Sequence, residues 1–204
     1  MTILLTGFGR FANVERNPSE QIVAALDDSR VDGHRVVGRI LPVSARDTPA
    51  AVRAALAETE PALAFLLGVA PGRTALTIER VAVNVFDFED PDNDGEQPVD
   101  VPIEEGGPAA YFATLPVRRI VAAWHAAGIP GALSDTAGTY LCNAAMYTAL
   151  HATADERLPA GFVHLPSLPD EVASQRAPAP SMPLQTQIDG VRIAIEAAVG
   201  EAAA

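Results

Sequence analysis

Ala62-Leu63-Ala64-Phe65-Leu66-Leu67-Gly68-Val69 is apolar almost throughout and lies between Pro61 and Ala70-Pro71-Gly72. Its length and its breaker residues read as a strand, the third along the chain. Before it, Thr48-Pro49 opens a helix running to about residue 58, and residues 35–43 form a strand. Earlier still, Asn17-Pro18-Ser19-Glu20 reads as a helix start, with Asn17 as cap and Pro18 at the first helical position; this helix runs to about residue 26. Residues 3–8 read as a buried strand. After the central run, residues 74–85 are strand-like and rich in β-branched side chains. Residues 117–127 are helical, 132–135 a short strand, 140–152 a helix, 161–165 a strand and 185–198 a closing helix. Strands alternating with helices predict an α/β fold. The expected architecture is a single-domain α/β/α sandwich with a mostly parallel twisted sheet flanked by helices. No internal repeat and no long linker divides residues 1–204.

Composition narrows the function. A hydrophobic content of 49% with 20% charged residues is that of a globular chain with a sizeable core. The net charge is −12, and all fourteen basic residues are arginine. Such a surface argues against nucleic acid, whose phosphates need basic patches. No stretch approaches the length of a membrane-spanning helix, so no membrane partner is expected. The N-terminus lacks a basic region and enters a strand directly, unlike a signal peptide. With one unpaired cysteine, this predicts a cytoplasmic protein. The segment from Asp87 to Glu105 stands apart, with nine acidic residues, no basic one, and Pro91, Pro98 and Pro102. It predicts a long, mobile loop, and long loops inside compact domains are often functional; a plain solvated acidic insertion is the other reading.

Gly7-Phe8-Gly9-Arg10-Phe11-Ala12 follows a strand and fits a dinucleotide-binding turn. The helix that would grip a pyrophosphate starts too late, at Pro18, and no acidic residue ends the second strand. No Gly-rich loop is followed by lysine, and there is no Gly-x-Ser-x-Gly elbow. His34, His125, His151 and His164 are scattered, and one cysteine cannot build a structural zinc site, so no metal is expected.

Cys142 is the only cysteine, in Gly138-Thr139-Tyr140-Leu141-Cys142-Asn143, where a strand gives way to a helix. A thiol at a helix start feels the positive end of the dipole and unpaired N–H groups, and both favour thiolate. An inert buried thiol is the alternative. His164, late in a short apolar strand, reads equally as a packed core histidine. Glu79, flanked by Ile78 and Val81 across Arg80, is costly to bury without a partner, and an imidazole is a natural one. A carboxylate that fixes a histidine, which in turn takes a thiol proton, would be a nucleophilic unit. Sites in open α/β sheets form beyond the carboxyl ends of strands. Cys142 follows one strand and His164 sits late in another, so both are expected at that edge.

The segments 71–84, 138–143, Gly161-Phe162-Val163-His164-Leu165-Pro166 and Leu4-Leu5-Thr6-Gly7-Phe8 together resemble the pyroglutamyl peptidase I (pyrrolidone-carboxylate peptidase) family. The resemblance runs from about residue 3 to about residue 170, with separate motifs in the right order. It implies a cysteine peptidase that releases pyroglutamate from the N-terminus of peptides, with Glu79, Cys142 and His164 as catalytic residues and no cofactor. It implies that Phe8, Phe11 and Asn17 help form the pocket for a flat, uncharged lactam ring, and Val69, Tyr140 and Leu141 are counted with them as substrate-binding residues. It implies a homotetramer. The alternatives are a thiol amidase acting on other cyclic or small amides, and a pyroglutamyl-binding protein that has lost turnover.

The chain departs from the family in the acidic loop. Relatives commonly read Ala-Arg-Ile-Pro-Asp-Asn where this chain has Phe88-Glu89-Asp90-Pro91-Asp92-Asn93. The arginine thought to help hold the oxyanion falls on Glu89, and the apolar pocket residue falls on Asp90. Either would repel a developing oxyanion if it pointed inward. Backbone N–H groups near Cys142 are then the expected donors. Gly9-Arg10 also replaces Glu-Pro, and Ala12 replaces Gly.

Overall fold

The computed structural model describes residues 1–11, 17–156, 158–173 and 179–202. Ala12 therefore lies outside the described residues. In chain order the elements are β1 (Thr2–Phe8), α1 (Pro18–Leu26), β2 (Arg30–Val31), β3 (His34–Leu41), α2 (Asp47–Thr59), β4 (Leu63–Val69), β5 (Leu76–Glu79) and β6 (Val81–Val83). They continue with β7 (Ala110–Phe112), α3 (Val117–Ala126), β8 (Gly131–Ser134), α4 (Leu141–Ala152), β9 (Ala160–Leu165), α5 (Pro169–Ala173) and α6 (Leu184–Ala202). The main sheet has seven strands in the order β2-β3-β1-β4-β9-β5-β8, and β6 pairs with β7 in a small second sheet. The block β3-β1-β4-β9 is parallel throughout. Strands β5 and β8 are parallel to each other but run against β9, and β2 runs against β3.

Alternation along the strands builds two cores. Ile3, Leu5, Phe65, Leu67, Ile78 and Val163 point to the side covered by α1, α3 and α6, where Ile22, Trp124, Val191 and Ile195 are buried. Leu4, Phe8, Ala64, Leu66 and Phe162 point to the side covered by α2 and α4. This is why β4 is apolar on both faces: both are buried. On the second side, Ala144, Ala145 and Ala149 of α4 face Ala64 and Ala160 of the sheet. Small residues let the helix lie close to the strands.

The strand-like run 74–85 is two strands in two sheets. Beyond Arg80 the chain leaves the main sheet, and β6 finds its partner in β7, from distant residues. Asn143 completes this corner. Its Oδ1 accepts from the Val83 N–H at 2.9 Å and its Nδ2 donates to the Val83 and Val85 carbonyls at 2.9 and 3.2 Å.

The acidic segment is tied by bonds that its composition does not reveal. Asp92 is buried. Its Oδ2 accepts from the Ala45 N–H at 2.7 Å, and its Oδ1 accepts from the Asp94 and Glu96 N–H groups at 2.9 Å each. Phe86 and Val101 form a β-bridge, and the Asp87 carbonyl accepts from the Thr139 hydroxyl at 2.7 Å. One carboxylate with three N–H partners does here what a cap does for a helix.

Candidate active site

Three segments meet on the α2/α4 face of the sheet. Glu79 ends β5 with no solvent exposure, and His164 on the neighbouring β9 is 4% exposed. Thr77 lies opposite His164 in the antiparallel register, so Glu79, two residues on, is the diagonal neighbour on the same face. The imidazole Nδ1 lies 2.7 Å from Glu79 Oε1. Because a carboxylate only accepts, Nδ1 carries the proton and Nε2 is left as a base. The same Oε1 accepts from Arg73 Nη1 at 2.8 Å.

Cys142 arrives by a route the sequence reading did not foresee. The strand before it, β8, runs against β9, so the two carboxyl ends point in opposite directions. The thiol reaches the site instead from the first turn of α4, across the face of the sheet. Gly68 makes room for it. A Cβ built on Gly68 would stand 2.7 Å from Cys142 Sγ and 2.8 Å from Phe162 Cζ. Gly68 is also the register partner of His164, which brings thiol and imidazole to one place. Gly68→Ala is therefore expected to displace the sulfur. A misplacement of about 1 Å can cost on the order of a hundredfold in rate. Overpacking costs about 1–3 kcal/mol of stability. Kinetics and a thermal melt check this; a wild-type rate would show that the sulfur position is not critical.

Burial decides the resting protonation. It pushes the Cys142 thiol up to about 12, and the Glu79 charge adds to this, against the pull of Arg73 and of the backbone N–H of Cys142 itself. The dipole argument for a standing thiolate is thus overridden by desolvation. Burial also pushes His164 below the usual imidazole range; the hydrogen bond and charge of Glu79 hold it up, and Arg73 lowers it further. At neutral pH the pair rests as thiol and neutral imidazole.

A cavity of about 200 Å³ opens beside the thiol, lined by Phe8, Phe11, Asn17, Val43, Val69, Pro71, Ala137, Tyr140, Leu141, Cys142 and His164. All six residues expected for substrate are in this lining. Val43, Pro71 and Ala137 were not foreseen; each comes from a loop whose approach depends on the assembled sheet. Asn17 is held firmly, donating to the Gly9 carbonyl at 2.9 Å and accepting from the Ser19 N–H at 3.0 Å. Glu89 and Asp90 are exposed and line an adjoining hollow of about 720 Å³ with Phe11 and Tyr140, rather than the cavity at the thiol. Among the described residues, no three histidine, cysteine or carboxylate side chains converge as a metal ion would require. No helix among them is long and apolar enough to cross a membrane.

A buried carboxylate–imidazole pair with a helix-borne thiol at an apolar cavity, on an α/β sheet, is the arrangement of a cysteine hydrolase. The chain belongs to the pyroglutamyl peptidase family, whose profile matches residues 1–201. It is 41% identical to the pyrrolidone-carboxylate peptidase of Pyrococcus furiosus, over 98% of this chain and 99% of that protein. It is 45% identical to that of Thermococcus onnurineus, over 96% of this chain and 98% of that protein. The structure of the pyrrolidone carboxyl peptidase from Thermococcus litoralis superposes with a TM-score of 0.96 at 40% identity, covering 98% of this chain and 94% of that one.

Proposed function

We infer that the protein hydrolyses the amide bond after an N-terminal pyroglutamyl residue, releasing pyroglutamate, with Cys142 as nucleophile. The observation that carries this reading is the Glu79–His164 hydrogen bond of 2.7 Å at a cavity that also holds Cys142, Phe8 and Phe11. The lactam ring lies in the cavity against the aromatic side chains. His164 Nε2 takes the thiol proton as Sγ attacks the carbonyl carbon. The oxyanion faces the N–H groups of Leu141, Cys142 and Asn143, which as the first turn of α4 have no intrahelical acceptor. The C–N bond breaks as the imidazolium protonates the leaving amine, leaving a thioester. Water, deprotonated by His164, then attacks the thioester; pyroglutamate departs and the thiol is restored. Glu79 holds the reactive tautomer and stabilises the imidazolium.

The substrates are N-terminally pyroglutamylated peptides. The thiol chemistry suits a reducing compartment, so we place the protein in the cytoplasm, and from the family resemblance we propose a homotetramer.

Release of a fluorophore from a pyroglutamyl amide is the test, with glutamyl, alanyl and prolyl amides alongside. Turnover of the pyroglutamyl compound alone is expected, because the charges of a free glutamyl terminus would be desolvated without partners. Equal turnover of the others would indicate a broader thiol amidase. Binding without hydrolysis would indicate a protein that keeps the pocket and lacks the reaction. Phe11→Ala should raise KM several-fold with little change in kcat, since a ring contact contributes about 0.5–1.5 kcal/mol beyond its area. A change confined to kcat would remove Phe11 from the binding role.

A further inference from the structure

Arg73 is the one cation in contact with the buried carboxylate, among the described residues. It sits in the connection from β4 to β5. Because β9 lies between those strands in the sheet, this connection must pass the end of β9. A turn closed by the Arg73 N–H on the Ala70 carbonyl at 3.3 Å, with Gly72 at φ +87°, directs the chain back over the sheet. Only glycine takes that conformation readily. Arg73 Nη1 then donates to Glu79 Oε1 at 2.8 Å and to the Thr77 hydroxyl. Its side chain is 27% exposed, whereas that of Glu79 is wholly buried. The guanidinium therefore keeps part of its hydration while neutralising a charge that has none.

Resting on the reading of Glu79 and His164 given above, we propose that Arg73 is a positioning residue of the reaction, acting through Glu79. Two donors converge on one oxygen. Glu79 Oε1 receives both the imidazole Nδ1 and the guanidinium, while Oε2 has no hydrogen-bond partner among the described residues. The carboxylate is thereby fixed by one oxygen held between two strand-borne or loop-borne donors, and the imidazole plane is fixed with it. The cation also gives a fully buried carboxylate a partner of opposite charge, without which its burial would be costly. Its third effect falls on the base. The charged or titratable groups bearing on His164 are Glu79 from β5, Arg73 from the β4–β5 turn and Cys142 from α4. Glu79 favours the imidazolium, and Arg73 opposes it. Arg73 thus offsets part of the pull of Glu79, so the imidazole stays free to accept the thiol proton.

The experiment compares Arg73→Met, Arg73→Lys and the double variant Arg73→Met with Glu79→Gln, reading kcat/KM against pH on a pyroglutamyl amide. Arg73→Met should lose roughly 10- to 100-fold, by analogy with the loss seen when the outer partners of metal ligands are changed. Its acidic limb should move to higher pH, because a cation that opposed protonation of His164 is gone. Arg73→Lys, which keeps the charge, should keep the limb near the wild-type position. The double variant should be no worse than Glu79→Gln alone, because Arg73 acts through that carboxylate. It also removes the unpaired buried charge, so it remains informative if Arg73→Met fails to fold. A loss of rate with an unmoved limb, or a double variant far worse than Glu79→Gln, would overturn the proposal. If the wild type itself fails to cleave the amide, the functional reading fails rather than the role of Arg73.

Discussion

Cys142→Ala is expected to abolish hydrolysis of a pyroglutamyl amide, with a loss on the order of a millionfold, the scale seen when a nucleophile is removed from a nucleophile–histidine unit. The fold should survive. Cys142 is half-buried in the first turn of α4, alanine is smaller, and it is the better helix former. The change therefore removes chemistry while leaving the melting temperature close to wild type. Cys142→Ser should be nearly as inactive, because a hydroxyl gives up its proton less readily than a thiol and His164 is a weak base in this site. Iodoacetamide should inactivate the wild type at one residue, since the chain has no other cysteine. Alkylation should be slow near neutral pH, because burial pushes the thiol up to about 12. Substantial turnover in the alanine variant would refute the nucleophile assignment.

How far the sequence revealed this site depends on the range of the interactions involved. Residues 62–69 announce a strand buried on both faces, because apolar character in every position leaves no solvent side. The start of α1 is equally legible: Asn17 caps it by accepting from the Ser19 N–H, and Pro18 occupies the first turn. Periodicity could not show that β5 and β8 run against β9. A four-residue strand has the same side-chain alternation in either direction, and only the crossover that delivers it fixes the choice. That ambiguity misdirected the route of Cys142, though not its destination. Asp92 illustrates a second limit. Its partners are backbone N–H groups, which every residue but proline has, so nothing in an acidic run distinguishes the carboxylate that ties the loop from the other eight. Gly68 lay in a stretch read only as strand, and Arg73 in a motif within which only Glu79 was given a role. A glycine in an otherwise bulky strand does signal close approach by another group, and here that group is the thiol.

His164→Ala and Glu79→Gln separate the base from the group that orients it. His164→Ala should cost nearly as much as losing the thiol, because nucleophile and base act as one unit. Glu79→Gln should cost less, on the order of a thousandfold to ten-thousandfold, the scale of replacing a triad carboxylate by its amide. The reason lies in the shared oxygen. Glu79 Oε1 accepts from both His164 Nδ1 and Arg73 Nη1. A glutamine oxygen left in the Oε1 position still accepts from both donors but buries an NH2 group without a partner where Oε2 stood, whereas a turned amide directs that NH2 group toward Nδ1. An imidazole that accepts at Nδ1 carries its proton on Nε2, the wrong nitrogen for taking the thiol proton. The pH profile gives an independent check on the same contact. Burial lowers the His164 pKa, while the bond and charge of Glu79 raise it. Removing the charge leaves burial and Arg73 unopposed, so the acidic limb of the residual activity should move to lower pH, opposite to the shift expected for Arg73→Met. Two neighbours of one imidazole, bonded to the same carboxylate oxygen or supplying it, should thus move one titration in opposite directions. If Glu79→Gln retained wild-type turnover and an unmoved limb, Glu79 would be a structural strand residue, and the buried pair would need another explanation.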